Sequence, residues 1–452
     1  MRRVHFVAIG GQGMSGIATI LLSKGIEVSG SDLKSSDVTR RLRDMGARVF
    51  IGHSSAHITD PDLVVVSSAI SEDNPEVLEA RKRGIPVIHR MDMLLKAIEG
   101  KQIIGIAGAH GKTTTSAMTA WVLKQAGKDP TFLIGGELGN NGNARAGNGP
   151  VAVVETDESD GSFLKCHPEV SVVTNIDNDH LDYWGSFDAL KKAFYSYLSG
   201  TKPGGAKIVC SDDPLLREWI SRNPDAVSYG VRTDSVWQAR HITQDGWSTK
   251  CQVYRRGQPV ASLDLKMPGI HNLQNALGAI AAAAWMGVDP ETACEALSTF
   301  PGVRRRLQRI GQFGNVLLLD DFAHHPKEIA AVLETIRVSV PDAKLVVLFQ
   351  PHRYSRTKLL RAEFGKAFSK ADAVVVTGIY SGPGEKQDPE VSPGFITQAV
   401  EEAGHGCAFK IEDMEEAATL AARLCKGDTV LITLGAGDIW RTHDVLIKQL
   451  AT

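Results

Sequence analysis

The stretch Ile103-Ile104-Gly105-Ile106-Ala107-Gly108-Ala109-His110-Gly111-Lys112-Thr113-Thr114-Thr115 constrains this chain more than any other. A short apolar run breaks into glycines and then into a lysine and three threonines, which predicts a buried strand, a tight turn and the start of a helix. Small residues at Gly108 and Gly111 let backbone N–H groups approach phosphate oxygens. Lys112 offers a cation to a terminal phosphate, and the Thr113 hydroxyl offers a ligand to magnesium. The strict Walker spacing asks for glycine where Ile106 stands, so the stretch suggests a nucleoside triphosphate without deciding it. A glycine-rich packing turn beside an ordinary lysine is the competing reading.

Downstream residues supply partners for such a site. The run 151–155 reads as a buried strand ending in Glu155, placed where a nucleotide-bound magnesium needs a carboxylate. Asp157, Glu158 and Asp160 read as solvated, or as groups standing behind Glu155. The strand 170–174 delivers Asn175, Ile176, Asp177, Asn178, Asp179 and His180 to the same sheet edge, where open α/β folds bind ligands. His180 is a candidate for a second metal or for phosphate.

The chain begins with a similar unit. Strand 4–9 runs into Gly10, Gly11, Gln12, Gly13, Met14, Ser15 and Gly16, a dinucleotide-type fingerprint in front of a helix. Strand 28–32 ends in Asp32, suited to accept hydrogen bonds from a ribose or base. Strand 63–66 ends in Ser67 and Ser68, and 85–88 reads as a fourth strand. This pattern implies a diphosphate-bearing ligand; NAD, FAD and UDP-sugars all qualify.

Residues 199–267 read as short strands and turns, with a hairpin over 248–265. An alanine-rich helix follows, opened by a segment in which Asn272 and Asn275 lie three apart. Such amides suit the edge of a heterocycle, and Asn272 suits helix capping equally well. The basic run Arg304, Arg305, Arg306 reads by default as exposed. Strand 316–319 ends in Asp320, Asp321, Phe322, Ala323, His324, His325 and Pro326. Strand 345–349 leads to Gln350, Pro351, His352, Arg353, Tyr354, Ser355 and Arg356, where two arginines three apart suit a carboxylate or phosphate. Further strands are expected at 373–377 and 429–434.

A chain of 452 residues exceeds one core and implies two to four domains. Its net charge of −2 argues against nucleic acid or an anionic membrane as partner. The six cysteines are scattered singly, without zinc-ligand spacing, and no apolar run reaches membrane length. A cytoplasmic protein with reduced thiols is expected.

Taken in order, six motifs resemble those of the Mur ligase family of peptidoglycan synthesis. They lie at residues 9–16, 108–115, 157–163, 175–182, 271–275 and 349–357. The resemblance implies an α/β chain of three domains. A Rossmann-like UDP-sugar-binding domain would span 1–96, and a central P-loop ATPase domain with a parallel sheet plus a small β-rich part 97–303. A Rossmann-like C-terminal α/β domain, closing over the amino acid and ATP, would span 304–452. It further implies an ATP-dependent ligase of the alanine-adding kind, joining L-alanine to the lactyl carboxylate of UDP-N-acetylmuramate through an acyl phosphate. By that resemblance Gly10, Gly11, Gly13, Met14, Ser15, Asp32, Ser67 and Ser68 belong to the UDP-sugar site. Gly108, His110, Gly111, Lys112, Thr113, Thr114, Asn272, Asn275, Arg306 and Asp321 belong to the ATP site. Thr113, Glu155 and His180 would hold two Mg2+ ions, with Mn2+ as a substitute, and His324, Arg353 and Arg356 match positions associated with the incoming alanine. The family commonly carries Tyr-Gly where this chain has Phe322 and Ala323, and an apolar residue at Gln12. The lysine that ligases of later steps carbamylate has no counterpart in register here. Alternatives are a recycling ligase that attaches a peptide to the same sugar nucleotide, an NAD-linked oxidoreductase built on the first glycine loop, and a regulator that has lost catalysis.

Overall fold

The computed structural model describes residues 1–382 and 385–451. They fall into two compact units, one comprising Met1–Thr243, Thr249–Lys266 and Ile270–Pro301, the other Gln244–Ser248, Met267–Gly269 and the chain from Gly302 onward. Three sheets organise them, giving three α/β domains, two of which share the first unit. No described helix is long and apolar enough to cross a membrane.

The first sheet has five parallel strands in the order Arg48–Ile51, Glu27–Asp32, Arg3–Val7, Leu63–Val66 and Val87–His89. The edge strand Arg48–Ile51 is not among the expected strands, because its apolar run, Val49 to Ile51, is only three residues long. The strand expected at 85–88 lies at Val87–His89, with Ile85 and Pro86 in the connection that follows the turn at Arg83 and Gly84.

The second sheet has ten strands. Its parallel centre runs Val227–Gly230, Ala206–Cys210, Val170–Val173, Gln102–Ala107, Val151–Glu155 and Thr131–Leu133. The expected hairpin is the antiparallel pair Ser248–Arg255 and Gln258–Leu265 at one edge. The central strands are buried on both faces and so read as continuous apolar runs. The third sheet orders Gln308–Phe313, Val316–Asp321, Thr429–Leu434, Lys344–Phe349, Ala373–Val376 and Ala408–Lys410, antiparallel only at its first pair. Alternation along its strands splits the core, with Leu319, Val347, Phe349 and Ile432 on one face and Leu318, Val346, Leu348 and Leu431 on the other.

A buried polar cluster braces the first domain. Glu76, fully buried, accepts from the Ser31 hydroxyl at 2.5 Å and meets His57 Nδ1 at 2.7 Å, His53 Nδ1 at 3.4 Å and His5 Nε2 at 3.7 Å. Burial pushes its pKa up, but His5, Ser31 and His57 outweigh burial and hold it at about 2. A carboxyl whose pKa is lower folded than unfolded stabilises the fold above its unfolded value and loses that contribution as pH falls through the folded one. Glu76 therefore contributes about 3 kcal/mol above pH 5, lost between its ordinary value of 4.5 and about 2. Glu76→Gln is expected to speed hydrogen exchange of the Glu27–Asp32 amides on the order of 100-fold at pH 7. The gap from wild type should close as pH falls below 4; a gap independent of pH would assign the effect to packing alone.

Candidate active site

In the first unit the turn 108–111 connects Gln102–Ala107 directly to the helix Lys112–Gln125, which starts at Lys112 because Gly111 caps it in the left-handed region at φ +82°. A Cβ on Gly111 would meet Asn275 Oδ1 at 2.5 Å, and one on Gly108 (φ +137°) would meet Thr174 Oγ1 at 2.0 Å. Glycine is therefore required at both positions by close approach as well as by φ. The turn is braced from the next strand: Asn175 Oδ1 accepts from the His110 N–H at 2.9 Å and its Nδ2 donates to the His110 carbonyl at 2.9 Å. The His110 ring meets Asp177 Oδ2 at 3.0 Å. The P-loop helix packs on the helix Ile270–Trp285, whose Asn275 accepts from the buried Thr115 hydroxyl at 3.1 Å. Asn272 and Asn275 are both buried there.

Lys112 Nζ donates to the Gly108 carbonyl at 2.5 Å and to Glu158 at 2.8 Å. Burial pulls the Lys112 pKa down, but Glu158, Asp157 and Glu155 outweigh burial and keep the ammonium charged. Glu158 is 1% exposed, with Trp184 Nε1 donating to its backbone carbonyl at 3.0 Å. Burial pushes the Glu158 carboxyl up, and Lys112 opposes the rise. Of the two readings of Asp157, Glu158 and Asp160, burial removes the solvated one for Glu158. Asp160 is also engaged, with Ser68 Oγ at 2.6 Å, Arg90 at 3.0 Å and Ser162 within reach.

Thr113 donates its hydroxyl to Glu155 Oε1 at 3.1 Å, so two of the expected metal ligands are adjacent. The third, His180, sits at the left-handed φ of +54° with Nε2 3.9 Å from Glu158 Oε1 and 3.7 Å from Asp179 Oδ2. One ligand atom each of Asp157, Glu158 and His180 lies within 4.8 Å of the others. A hydroxyl, several carboxylates and one imidazole suit a hard divalent cation. Glu158 thus joins the site on geometry, having been masked in the sequence by its acidic neighbours.

The first glycine loop stands at the N-terminus of the helix Gln12–Ser23, with Gly11 as cap. Asp32 Oδ2 accepts from the Gly10 N–H at 2.8 Å, so this carboxylate shapes the loop as well as facing the strand end. Met14 and Ser15 are buried in the helix's first turns, where Ser15 Oγ donates to the Gln12 carbonyl at 3.1 Å. The N–H groups of Gln12, Gly13 and Met14 precede the first intrahelical bond, from Ser15 to Gly11. Arg90 Nη1 would lie 3.2 Å from a Cβ on Gly13. That guanidinium beside the loop drew no notice in the sequence, because nothing in 87–90 marks it. Ser67 stands at the end of its strand, and Ser68 Oγ also meets His89 Nε2 at 3.1 Å.

In the second unit the arginine run is not simply exposed. Arg305 Nε donates to buried Asp320 at 3.2 Å, and its other nitrogens reach the carbonyls of Gly435 and Gly437. Both Arg305 and Arg306 lie over the Phe322 ring, at 5.2 and 5.0 Å from its centroid. The ring without its hydroxyl still serves as a cation–π platform. Asp321 accepts from the Leu307 and Ala323 N–H groups at 2.6 and 2.7 Å; burial raises its pKa to about 6, against the pull of Arg306. His324, 5.4 Å from His352 between ring centroids, and Arg356, with Nη1 3.1 Å from His352 Nδ1, converge on that one imidazole. His352 stacks on Tyr380. Arg353 takes φ +69°, with its N–H on the Tyr380 carbonyl at 2.8 Å. His352 precedes Arg356 by four residues in the same segment, whereas Tyr380 reaches His352 from a separate strand end.

Comparison with known proteins agrees with this layout. Residues 3–102 match the Mur ligase family catalytic domain, 106–283 the Mur ligase middle domain and 305–437 the Mur ligase glutamate ligase domain. The UDP-N-acetylmuramate–L-alanine ligase of Sorangium cellulosum is 44% identical over 443 residues, covering 97% of this chain and 94% of its own length. That of Desulfosudis oleivorans is 45% identical over 450 residues, covering 99% and 98%. The crystal structure of the UDP-N-acetylmuramate–alanine ligase of Thermotoga maritima superposes with a TM-score of 0.84 at 33% identity, over 99% of this chain and 98% of that one. A murein peptide ligase from Psychrobacter arcticus gives 0.72 at 25% identity, over 100% and 99%. The chain belongs to the Mur ligase family of ATP-dependent ligases that act in peptidoglycan synthesis.

Proposed function

We propose that this chain joins L-alanine to the lactyl carboxylate of UDP-N-acetylmuramate, converting ATP to ADP and phosphate, in the cytoplasm. The observation that carries the proposal is the ion pair of part-buried Lys112 with buried Glu158 beside Thr113 and Glu155, in a chain whose full-length relatives bear that activity in their names. A carboxylate is a poor electrophile. Its oxygen attacks the γ-phosphorus, the bond to ADP breaks, and the resulting acyl phosphate carries a good leaving group. The alanine amine then attacks the acyl carbon and phosphate departs, leaving an amide.

Lys112 donates to the transferring phosphoryl group, where charge builds up. Thr113, Glu155 and His180, with Asp157 and Glu158 beside them, would hold two Mg2+ ions, or Mn2+ in their place, which when bound neutralise phosphate charge. Asn272, Asn275, Arg306 and Asp321 would contact ATP, and the glycine loop with Asp32, Ser67 and Ser68 the UDP-sugar. Arg353, Arg356 and His324 would orient the alanine. The domain bounds 1–96, 97–303 and 304–452 are part of the proposal. Phosphate release from ATP is expected to require both UDP-N-acetylmuramate and L-alanine. Turnover needing neither would sink the ligase assignment, and preference for a tripeptide over alanine would favour the recycling reaction.

A further inference from the structure

The glycine loop and the P-loop serve different ligands, yet an unbroken line of hydrogen bonds joins them. The helix Gln12–Ser23 docks on the central domain so closely that a Cβ on Gly16 would stand 2.1 Å from Leu133 Cδ1 and 3.3 Å from Asn143 Nδ2. Buried Asn143 donates its side-chain amide to the Gln12 carbonyl at 2.9 Å, and its own carbonyl accepts from the Ile134 N–H at 2.9 Å. The Gln12 side chain reaches further along the same segment, its Nε2 donating to the Gly135 carbonyl. The Gly135 N–H donates to Glu155 Oε2 at 2.6 Å, and Glu155 Oε1 accepts from the Thr113 hydroxyl at 3.1 Å. There is no slack at the middle of this line, since a Cβ on Gly135 would lie 2.4 Å from Glu155 Oε1. The first turn of the glycine-loop helix thus stands two hydrogen bonds from the carboxylate beside the P-loop.

We propose that Gln12 is a positioning residue that couples occupation of the glycine loop to occupation of the Thr113–Glu155 site, so that the sugar nucleotide and the ATP-metal complex strengthen each other's binding. The inference rests on the function proposed above. An anion held by the N–H groups of Gln12, Gly13 and Met14 fixes the backbone at Gln12. Its side chain then fixes Gly135, and Gly135 aims Glu155. Gln12 is exposed, and one exposed hydrogen bond adds little to stability. Its consequence lies in the coupling, which linkage makes equal in both directions.

Calorimetric titration of the full-length enzyme tests this. Dissociation constants are measured for a non-hydrolysable ATP analogue with Mg2+, with and without saturating UDP-N-acetylmuramate, and for the sugar nucleotide with and without the analogue. In wild type each ligand is expected to tighten the other by about fivefold or more, equally in both directions. Gln12→Glu keeps the length but turns an acceptor toward the Gly135 carbonyl. It and Gln12→Ala should bring the factor below about twofold, whatever they do to either affinity alone, and Gln12→Lys, which restores a donor, should recover part of it. A residue that merely stiffens the fold would weaken both ligands and leave their ratio unchanged. A wild type without coupling, or a Gln12→Glu enzyme that keeps the full factor, overturns the proposal. Failure of UDP-N-acetylmuramate to bind the wild type at all would instead remove the proposed function, and the coupling with it.

Discussion

Lys112→Ala is expected to lower alanine-dependent ADP formation on the order of 10³-fold or more, because the lost cation faces charge that develops only as the phosphoryl group transfers. UDP-N-acetylmuramate binding, centred on the first domain, should persist. The substitution also strands Glu158, which is 1% exposed and 2.8 Å from Lys112 Nζ. Removing one partner of a buried pair costs about 3–5 kcal/mol, so an inactive variant alone would be ambiguous. The double variant Lys112→Ala/Glu158→Gln removes both charges together and should restore most of the stability while leaving ADP formation at the single variant's level. Thermal melting and steady-state turnover of the three proteins make the comparison. A double variant that regains turnover would show that Lys112 acts through folding and not through chemistry. Sugar-nucleotide binding lost in either variant would overturn the division of labour between the two glycine loops.

Most of the architecture was legible because buried parallel strands must be apolar on both faces. Runs such as 103–107, 151–154 and 345–349 announce themselves, and the polar residues that end each run mark the ligand edge. Expectations went astray where burial is decided by a distant partner. Glu158 lies in a stretch of acids that composition reads as solvated, and Lys112, 46 residues earlier, offsets the cost of its burial. Arg305 sits in a basic run, yet the carbonyl of Gly435, 130 residues on, satisfies it. The cluster around Glu76 has the same character: His5 comes from one segment and His53 and His57 from another, and none is conspicuous in its own. Periodicity reports a residue's neighbours along the chain and is silent about partners across the fold. Motifs are legible for the opposite reason, since Gly108, Gly111, Lys112 and Thr113 lie together in one continuous turn and helix start.

Arg356→Ala should separate the two halves of the reaction that Lys112→Ala slows together. Arg356 stands in the first turn of the helix Tyr354–Leu359, its Nη1 3.1 Å from His352 Nδ1, on an imidazole that also meets His324. Held there, a guanidinium would present a planar fork to the alanine carboxylate. Two charge-assisted hydrogen bonds at about 1.5–3 kcal/mol each amount to about 3–6 kcal/mol, or roughly 10²–10⁴-fold in the KM for L-alanine. The first step needs no alanine, so an acyl phosphate trapped with hydroxylamine should still form from ATP and UDP-N-acetylmuramate at close to the wild-type rate. Arg356→Lys should recover little, because an ammonium offers a point charge where the fork supplies two parallel donors. If Arg356→Ala instead suppresses the trapped acyl phosphate and leaves the alanine KM unchanged, Arg356 serves the phosphoryl group. The amino acid would then have to be oriented by Arg353 and His324.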